Sequence, residues 1–280
     1  METSGARVSV CLPARNEEAT VGAIVERVAA SAIVGEIVVI DDGSTDATAT
    51  VAARAGATVV RESALLPEAG PGSGKGNVLW KSLAACTGDI VCYLDADLRN
   101  FRAEYVERLC TPLLRDPGTM FVKAFYARSF EGAPTGGGRV TELVGRPLLS
   151  LLFPKLADVV QPLGGEYAAR RSALEVLPFV EGWGVELALL IDMVERFGRD
   201  AVQQVDLGVR EHRNRPLEEL APQALAILAT GLARAGLTQL DAPFVELLRA
   251  SAEGTVDVEL VEVRERPPII TFESYRVRRL

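Results

Sequence analysis

Long apolar segments are scarce in this sequence. The most apolar helical run, LAPQALAILATGLA, is shorter than the ~20 residues that a membrane-spanning helix needs. Charged residues, Glu219 and Arg234, flank it on both sides. The N-terminal stretch METSGARVSVCLPARNEEAT is too polar and too charged for a secretory signal. We therefore expect a cytoplasmic protein that has no membrane partner.

Positive charge is also in deficit. The chain has 30 lysines and arginines against 38 aspartates and glutamates, which gives a net charge of −8. Because nucleic-acid binding usually needs a basic face, we expect no nucleic-acid partner. An anionic small ligand would instead require a local cationic pocket.

Cysteine pairs with metal-binding spacing are missing too. The four cysteines show no CxxC spacing and lie in apolar surroundings: Cys11, Cys86, Cys92 and Cys110. This pattern is typical of buried, reduced thiols and agrees with a cytoplasmic location.

Two familiar phosphate-binding signatures are absent as well. No GxGxxG follows the first predicted strand, which argues against a dinucleotide fold. The segment GPGSGKG contains Lys75, but Gly76 stands where a P-loop carries a Mg²⁺-binding hydroxyl. Two interpretations remain: a flexible loop that lays Lys75 over an anion, or a solvent-facing loop before a helix.

The first half of the sequence does contain a regular alternation of strands and helices. The chain has 48% hydrophobic and 24% charged residues, enough for a sizeable core. The predicted strands are RVSVCLP, which Pro13 stops, then EIVVID, ATVVR, DIVCYLDAD and TMFVKAFY. Amphipathic helices separate them, the first over residues 16–31. This predicts an α/β fold with a mainly parallel sheet covered on both faces. We predict two tightly joined parts, residues 1–130 and a less regular α+β part over residues 131–280.

Polar residues collect where these strands end, which is where ligands of such sheets bind. One group follows the first strand at residues 13–17, and a second follows the next strand at residues 41–44. A third group contains Asp95 and Asp97, whose carboxylates suit Mg²⁺ or Mn²⁺ if the chain turns there. Aspartates that merely cap the strand are the alternative.

The only histidine, His212, lies in the basic segment REHRNRP. The arginines around it, Arg210, Arg213 and Arg215, would lower the pKa of His212 and favour the neutral form that binds metals. We favour a metal or anion site here over a surface basic loop.

Two helix starts in the second half could also bind anions or orient a ligand. The segment GGGRVT offers backbone N–H groups, a guanidinium at Arg139 and a hydroxyl at Thr141, which suit a phosphate or a carboxylate. A flexible hinge with a capping threonine is the alternative. Glu186 opens a strongly apolar helix, where the helix dipole favours a carboxylate.

Taken in order, PARNEE, DDGSTD and LDAD resemble the nucleotide-sugar glycosyltransferases of the GT-A fold. The later segments GPGSGKG, GGGRVTELVGRPLL, QPLGGEYAARR, GWGVELALLID and LGVREHRNRP resemble a narrower group, the actinobacterial glucosyl-3-phosphoglycerate synthases. The resemblance covers residues 8–216. It implies a Rossmann-like nucleotide-binding part and an appended acceptor-binding part. It also implies a metal-dependent, retaining transfer of glucose from UDP-glucose to 3-phosphoglycerate by a homodimer.

The resemblance also implies a role for individual residues. The nucleotide sugar would be bound by Pro13, Ala14, Arg15, Asn16, Glu17, Ser44, Lys75, Asp95, Ala96, Trp183, Gly184, Val185, Glu186, Arg210 and Arg215. The acceptor would be bound by Gly138, Arg139, Val140, Thr141 and Asn214. Asp97 and His212 would hold Mg²⁺ or Mn²⁺, and Lys75, Arg139 and Glu186 would act in catalysis.

This sequence departs from the family pattern at two of these positions. Ala96 stands where the family has serine, and its missing hydroxyl leaves the expected metal binding unchanged. Trp183 stands where the family has tyrosine, which puts the choice of sugar in question.

Three other functions remain open at this point. A mannosyl-3-phosphoglycerate synthase would use GDP-mannose in place of, or beside, UDP-glucose. A sugar-1-phosphate nucleotidyltransferase would release pyrophosphate, although its glycine-rich signature after the first strand is missing. A non-catalytic nucleotide-sugar-binding module is the third, and the intact metal and acceptor residues argue against it.

Overall fold

The computed structural model describes residues 6–130, 133–136, 138–210 and 216–279, with backbone alone at residues 128–130, 133–136 and 210. Strands and helices alternate in the first part as predicted. They are β1 (Val8–Ala14), α1 (Val21–Ala29), β2 (Val34–Asp41), α2 (Thr48–Arg54), β3 (Thr58–Arg61), α3 (Gly74–Ser82), β4 (Ile90–Tyr93), α4 (Glu104–Arg115) and β5 (Phe121–Phe130).

The remaining elements are less regular and include a π-helical turn, Thr141–Gly145, directly before a helix. They are β6 (Ala133–Gly136), α5 (Arg146–Leu152), β7 (Tyr167–Arg170), α6 (Arg171–Leu174), β8 (Phe179–Val180), α7 (Val185–Phe197), β9 (Val202–Arg210), α8 (Leu220–Arg234), β10 (Phe244–Ala250), β11 (Val256–Glu262), β12 (Glu265–Arg266) and α9 (Glu273–Arg279).

One large sheet runs through both parts of the chain, in the order β3-β2-β1-β4-β7-β5-β6 with β9 beside β5. The pairs β1–β2, β1–β4, β2–β3 and β5–β9 are parallel. Strand β7 is antiparallel to both of its neighbours, β4 and β5. The predicted α/β fold is confirmed, and the described sheet is mainly parallel, with β7 and the edge strand β6 antiparallel to their neighbours.

Three predicted boundaries were wrong. Strand β1 runs through Pro13 to Ala14, because both residues are still paired with β2, opposite Ile40 and Asp41. Strand β4 ends at Tyr93, so the carboxylates of DAD lie in the turn beyond the strand. Helix α1 begins at Val21 and not at residue 16, because the residues before it bind the loop after β2 instead.

The core forms two layers, one on each face of the sheet. One layer joins α3, α5 and α7 to the sheet around Trp80, Phe121, Tyr167 and Phe179. The other joins α1 and α4 to the opposite face, and the predicted apolar side chains of α1 all lie in it: Val21, Ile24, Val25 and Val28. Amphipathic helices therefore cover the sheet on both sides.

The C-terminal part adds two small sheets. Strands β10 and β11 form an antiparallel hairpin, and β12 pairs with β8. Within the described ranges, no helix is both long enough and apolar enough to cross a membrane.

Candidate active site

The ends of β1 and β2 are joined by a polar network. Asn16 has a φ of 58°, a left-handed conformation that asparagine tolerates better than most residues. Its amide oxygen accepts a hydrogen bond from the Thr45 backbone at 2.8 Å, and its own N–H donates to Ser44 Oγ at 3.1 Å. The N–H of Glu17 donates to Thr48 Oγ1 at 2.8 Å. We call residues 13–17 and 41–48 the strand-end rim.

The turn after β4 is attached to this rim. The Thr20 hydroxyl donates to the carbonyl oxygen of Ala96 at 2.6 Å, which fixes the turn between the two aspartates. Arg15 lies 3.7 Å from Asp42 across the rim. The structure thus brings Arg15, Asn16, Glu17 and the DAD turn together, as the strand-end argument predicts.

Negative charge accumulates around Glu17. Burial raises the pKa of Glu17, and the nearby charges of Asp97, Asp46 and Asp95 raise it further. Such a concentration of carboxylates fits a divalent cation, which prefers oxygen ligands. In the part of the chain that the structure describes, however, no three His, Cys, Asp or Glu side chains form a metal-binding group.

The second predicted metal ligand, His212, lies outside the described residues, as do Asn214 and Arg215. Arg210 ends strand β9, and its side chain is not described. The pairing of Asp97 with His212 therefore stays a prediction.

A lysine between two carboxylates forms the other half of the site. Lys75 Nζ lies 2.6 Å from Asp95 Oδ1 and 2.9 Å from Glu186 Oε1. Burial alone would lower the pKa of Lys75, but the charges of Asp95 and Glu186 outweigh burial and raise it above its ordinary value. The side chain of Lys75 is 24% exposed, so a ligand can reach it. We call Lys75, Asp95, Gly165 and Glu186 the lysine corner.

The position of Lys75 depends on glycines that allow close approach of the backbone. A Cβ at Gly76 would overlap the carbonyl oxygen of Val180, and a Cβ at Gly74 would lie 2.8 Å from the Cα of Gly182. A Cβ at Gly165 would lie 2.5 Å from Asp95 Oδ1. The glycines next to Lys75 therefore allow tight packing against a neighbouring segment, a requirement that the sequence did not reveal.

Glu186 and Lys75 both lie in the first turn of a helix, of α7 and α3 respectively. Glu186 is only 6% exposed, whereas Trp183 just before it is 41% exposed. Gly184 and Val185 between them are buried. The GWGVE segment thus presents a buried carboxylate and a partly exposed aromatic ring.

A buried lysine, Lys123 on β5, was missed by the sequence analysis. It is fully buried, donates to the carbonyl oxygen of Gly164 and lies 4.9 Å from the centre of the Tyr167 ring. Burial lowers the pKa of Lys123 to about 8, although the charge of Glu186 opposes this shift. The signal was present, since a lysine inside the apolar run MFVKAFY needs a specific partner when buried.

The predicted acceptor segment opens a helix, as expected. Gly138 has a φ of 76°, and its carbonyl oxygen accepts a hydrogen bond from the Glu142 N–H at 3.1 Å. Thr141 is buried at the start of the π-helical turn, a feature frequent at functional sites. Arg139 and Val140 are partly exposed and line a small apolar pocket of about 150 Å³. Helix α8 packs against both this segment and the Gly182–Gly184 turn, so the two segments share one support.

A model of glycosyl transferase family 2 matches residues 9–176 of this chain. Glucosyl-3-phosphoglycerate synthase of Mycolicibacterium smegmatis is 48% identical over 275 residues, which cover 96% of this chain and 91% of the relative. The chain belongs to glycosyl transferase family 2, among the glucosyl-3-phosphoglycerate synthases. It is an enzyme of the glycosyltransferase class.

Solved structures of this family have the same fold. The crystal structure of glucosyl-3-phosphoglycerate synthase from Mycobacterium tuberculosis with Mn²⁺, UDP-glucose and phosphoglyceric acid superposes with a TM-score of 0.86 at 45% identity, covering 95% of this chain and 91% of that one. A structure of the same protein with Mg²⁺ and UDP gives a TM-score of 0.85 at 45% identity, covering 95% and 92%.

Proposed function

We propose that this glycosyltransferase moves glucose from UDP-glucose to 3-phosphoglycerate in a metal-dependent reaction that retains the α configuration. The observation that carries the proposal is the lysine corner, where a cationic side chain joins the DAD turn to the carboxylate of GWGVE. The corner stands beside a strand-end rim of the kind that binds nucleotides. Relatives of 45–48% identity bear the name of this activity.

The donor lies, in this proposal, between the rim and the lysine corner. The backbone and amide groups at residues 13–17, with Ser44 and Ala96, surround the uridine, and Asp95 contacts the ribose. Lys75 contacts the diphosphate, where the N-terminus of α3 also favours an anion. Trp183 to Glu186 face the glucose, while Arg210 and Arg215 complete the nucleotide-sugar site.

The carboxylates near Asp97 suit a divalent cation, and we propose that Asp97 and His212 hold Mg²⁺ or Mn²⁺. A cation bound there would neutralise the charge that develops on the departing diphosphate. A relative's structure holds Mg²⁺ together with UDP, and another holds Mn²⁺ with UDP-glucose.

Glu186 orients the sugar, in our proposal, and does not attack it. A carboxylate nucleophile needs an unshielded oxygen near the anomeric carbon. The carboxylate of Glu186 is instead almost buried and paired with Lys75 at 2.9 Å. We propose that the acceptor hydroxyl attacks on the face that the diphosphate leaves. The bond between C1 and the phosphate oxygen breaks, a bond from C1 to the acceptor oxygen forms, and the hydroxyl proton passes to the departing phosphate oxygen.

The acceptor is a small anion, and the protein as a whole is negative, so its site needs local positive charge. We propose that Arg139 and Asn214 bind it together with Gly138, Val140 and Thr141. Replacing Arg139 by alanine should raise the KM for 3-phosphoglycerate about tenfold and leave the KM for UDP-glucose unchanged. An unchanged acceptor KM would place the acceptor elsewhere.

One assay tests the proposed function. The protein is incubated with Mg²⁺, 3-phosphoglycerate and either UDP-glucose or GDP-mannose, and released UDP and GDP are measured. We expect UDP release that requires both 3-phosphoglycerate and the metal. Faster GDP release would indicate a mannosyl donor. Pyrophosphate from UTP and glucose 1-phosphate would instead indicate a nucleotidyltransferase, and contradict the proposal.

We further propose a cytoplasmic homodimer. All four cysteines are buried and free of disulfides, as suits a reducing compartment.

The β10–β11 hairpin exposes one apolar face that a second copy could cover. It consists of Leu248, Val256, Val258 and Leu260, each more than half exposed. Sedimentation equilibrium checks the dimer, and loss of dimerisation in Leu248→Glu would locate it on this face.

A further inference from the structure

The segment between the hairpin and α9 contacts the loop that carries Lys75. We call residues 262–267 the C-terminal clamp. Strand β12 of the clamp pairs with β8, and the Glu181 N–H donates to the carbonyl oxygen of Arg264 at 2.7 Å. The indole N–H of Trp80 in α3 donates to the carbonyl oxygen of Pro267 at 2.8 Å. The clamp is therefore bound both to α3 and to β8, although Pro267 lies 187 residues from Trp80 in the chain.

Arg266 is the centre of these contacts and is only 6% exposed. Its guanidinium donates to the carbonyl oxygens of Ala69 at 2.7 Å and Gly70 at 3.4 Å, on the loop before Lys75. It also donates to the side-chain oxygen of Asn77 at 3.1 Å, two residues after Lys75. Arg266 thus holds the chain on both sides of the lysine.

Two carboxylates complete the arrangement. Glu181 pairs with Arg266 at 2.5 Å through one oxygen, and its other oxygen accepts a hydrogen bond from the Ser73 N–H at 3.2 Å. The Ser73 hydroxyl donates to Glu262 at 2.7 Å. The loop from Ala69 to Ser73 is therefore bound to the clamp through backbone and side-chain groups.

Only arginine can make this set of contacts. Its planar guanidinium has five donors in a fixed fork, whereas lysine has one ammonium that cannot reach separate acceptors together. The ring of Trp80, with its centre 5.4 Å from the guanidinium carbon, supports the fork from one side. An uncompensated charge at this depth would be costly, and Glu181 compensates it.

We infer that Arg266 is a positioning residue for the transferase reaction: it fixes the Ala69–Asn77 backbone so that Lys75 points at the donor diphosphate. This inference rests on the proposed function, in which Lys75 contacts that diphosphate. Arg266 touches no substrate itself, so its effect should pass entirely through Lys75.

The test compares two ligands and uses a double-mutant cycle. Calorimetry with Mg²⁺ measures binding of UDP and of uridine, which lacks the phosphates, to the wild type and to Arg266→Gln, Arg266→Lys and Lys75→Met. We expect both Arg266 variants to lose about tenfold in UDP affinity, and to keep their uridine affinity. In the Lys75→Met background, Arg266→Gln should change UDP affinity by less than about twofold. Arg249→Gln, in the exposed hairpin of the same tail, is the control and should bind UDP like the wild type.

Three results would overturn the inference. An Arg266→Lys variant that folds and binds UDP like the wild type shows that the fork is not needed. An equal loss of UDP affinity with and without Lys75 shows that Arg266 acts by another route. If Arg266→Gln does not fold, Arg266→Lys carries the test. A wild type that binds UDP no better than uridine refutes the proposed role of Lys75 itself, and the inference falls with it.

Discussion

The strand-end rim and the lysine corner lie side by side but are built in different ways. The rim joins the loops that follow two neighbouring strands, β1 and β2, through hydrogen bonds at its exposed surface, such as the one from Asn16 to Ser44. The corner joins Lys75, Asp95 and Glu186, which come from three separate segments, through ion pairs and close backbone packing. A Cβ added at Gly43 on the rim would meet open space. A Cβ added at Gly76, next to Lys75 of the corner, would overlap the carbonyl oxygen of Val180.

This difference separates two kinds of functional residue. Rim residues have to offer the right polar groups, and the strand ends place them. Corner residues also require neighbours that make room for them, so their function depends on residues that carry no reactive group. The predictions below use variants that affect one region and spare the other.

The largest effect is expected at the DAD turn beside the rim. Replacing Asp97 by alanine should lower kcat by at least about 1000-fold, because the divalent cation would lose a proposed ligand. The variant should also lose its response to added Mg²⁺, as measured by titration of the metal in the UDP-release assay. Retained metal dependence would show that another residue binds the cation.

Removal of the corner's positive charge should come next. Lys75→Met should lower kcat by about 100- to 1000-fold, because Lys75 stabilises charge that appears on the departing diphosphate. Steady-state kinetics measure the effect, and Lys155→Met, at an exposed site, is the matched control. An effect on KM alone would mean that Lys75 binds the ground state and the transition state equally.

A pair of glycine variants compares the two regions directly. A Cβ at Gly76 would overlap the Val180 carbonyl oxygen, so Gly76→Ala should lower the free energy of unfolding by about 2–3 kcal/mol. Gly43 has open space but a φ of 69°, so Gly43→Ala should cost only about 1 kcal/mol of backbone strain. Urea denaturation measures both. Equal losses would show that the corner is no more tightly packed than the rim.

The smallest effect concerns the buried ammonium of Lys123. Burial lowers the pKa of Lys123 to about 8, below its ordinary 10.5, so between these values the unfolded chain binds more protons than the folded one. The free energy of unfolding should therefore rise with pH across this window, by about 1 kcal/mol per unit relative to Lys123→Met. The charged groups that act on Lys123 are Glu186, Lys75, Glu166 and Asp95.

Urea denaturation of the wild type and of Lys123→Met at about pH 7, 8, 9 and 10 would measure the difference in their free energies of unfolding. We expect no relative change below pH 8, because Lys123 is then protonated in both states. A difference that stays constant up to pH 10 would contradict the lowered pKa.

Much of the fold and of the rim follows from the sequence. Strand ends could be located to within a few residues from apolar runs that stop at polar residues, and this placed Asn16, Ser44 and Asp95 at one edge of the sheet. The start of α1 could not be located, because the loop from Asn16 to Thr20 prefers contacts to distant residues over helical turns. Helical periodicity carries no information about such contacts.

The lysine corner and the C-terminal clamp could not be predicted from the sequence for a similar reason. The glycines beside Lys75 indicated flexibility, because nothing in the sequence places Val180 or Gly182 against them. The tail around Arg266 has weak alternation, and its partners lie in segments from Ala69 to Glu181. Contacts between distant segments decide both features, and neither local propensity nor periodicity describes them.

The antiparallel strand β7 belongs to the second part of the chain, yet it lies between β4 and β5 of the first part and hydrogen-bonds to both. The two parts of the chain that are proposed to bind donor and acceptor are thus joined by backbone hydrogen bonds. They cannot swing apart about an interdomain hinge without breaking the central ladder. We therefore expect substrates to enter and products to leave through movement of surface segments, while the central sheet keeps its arrangement.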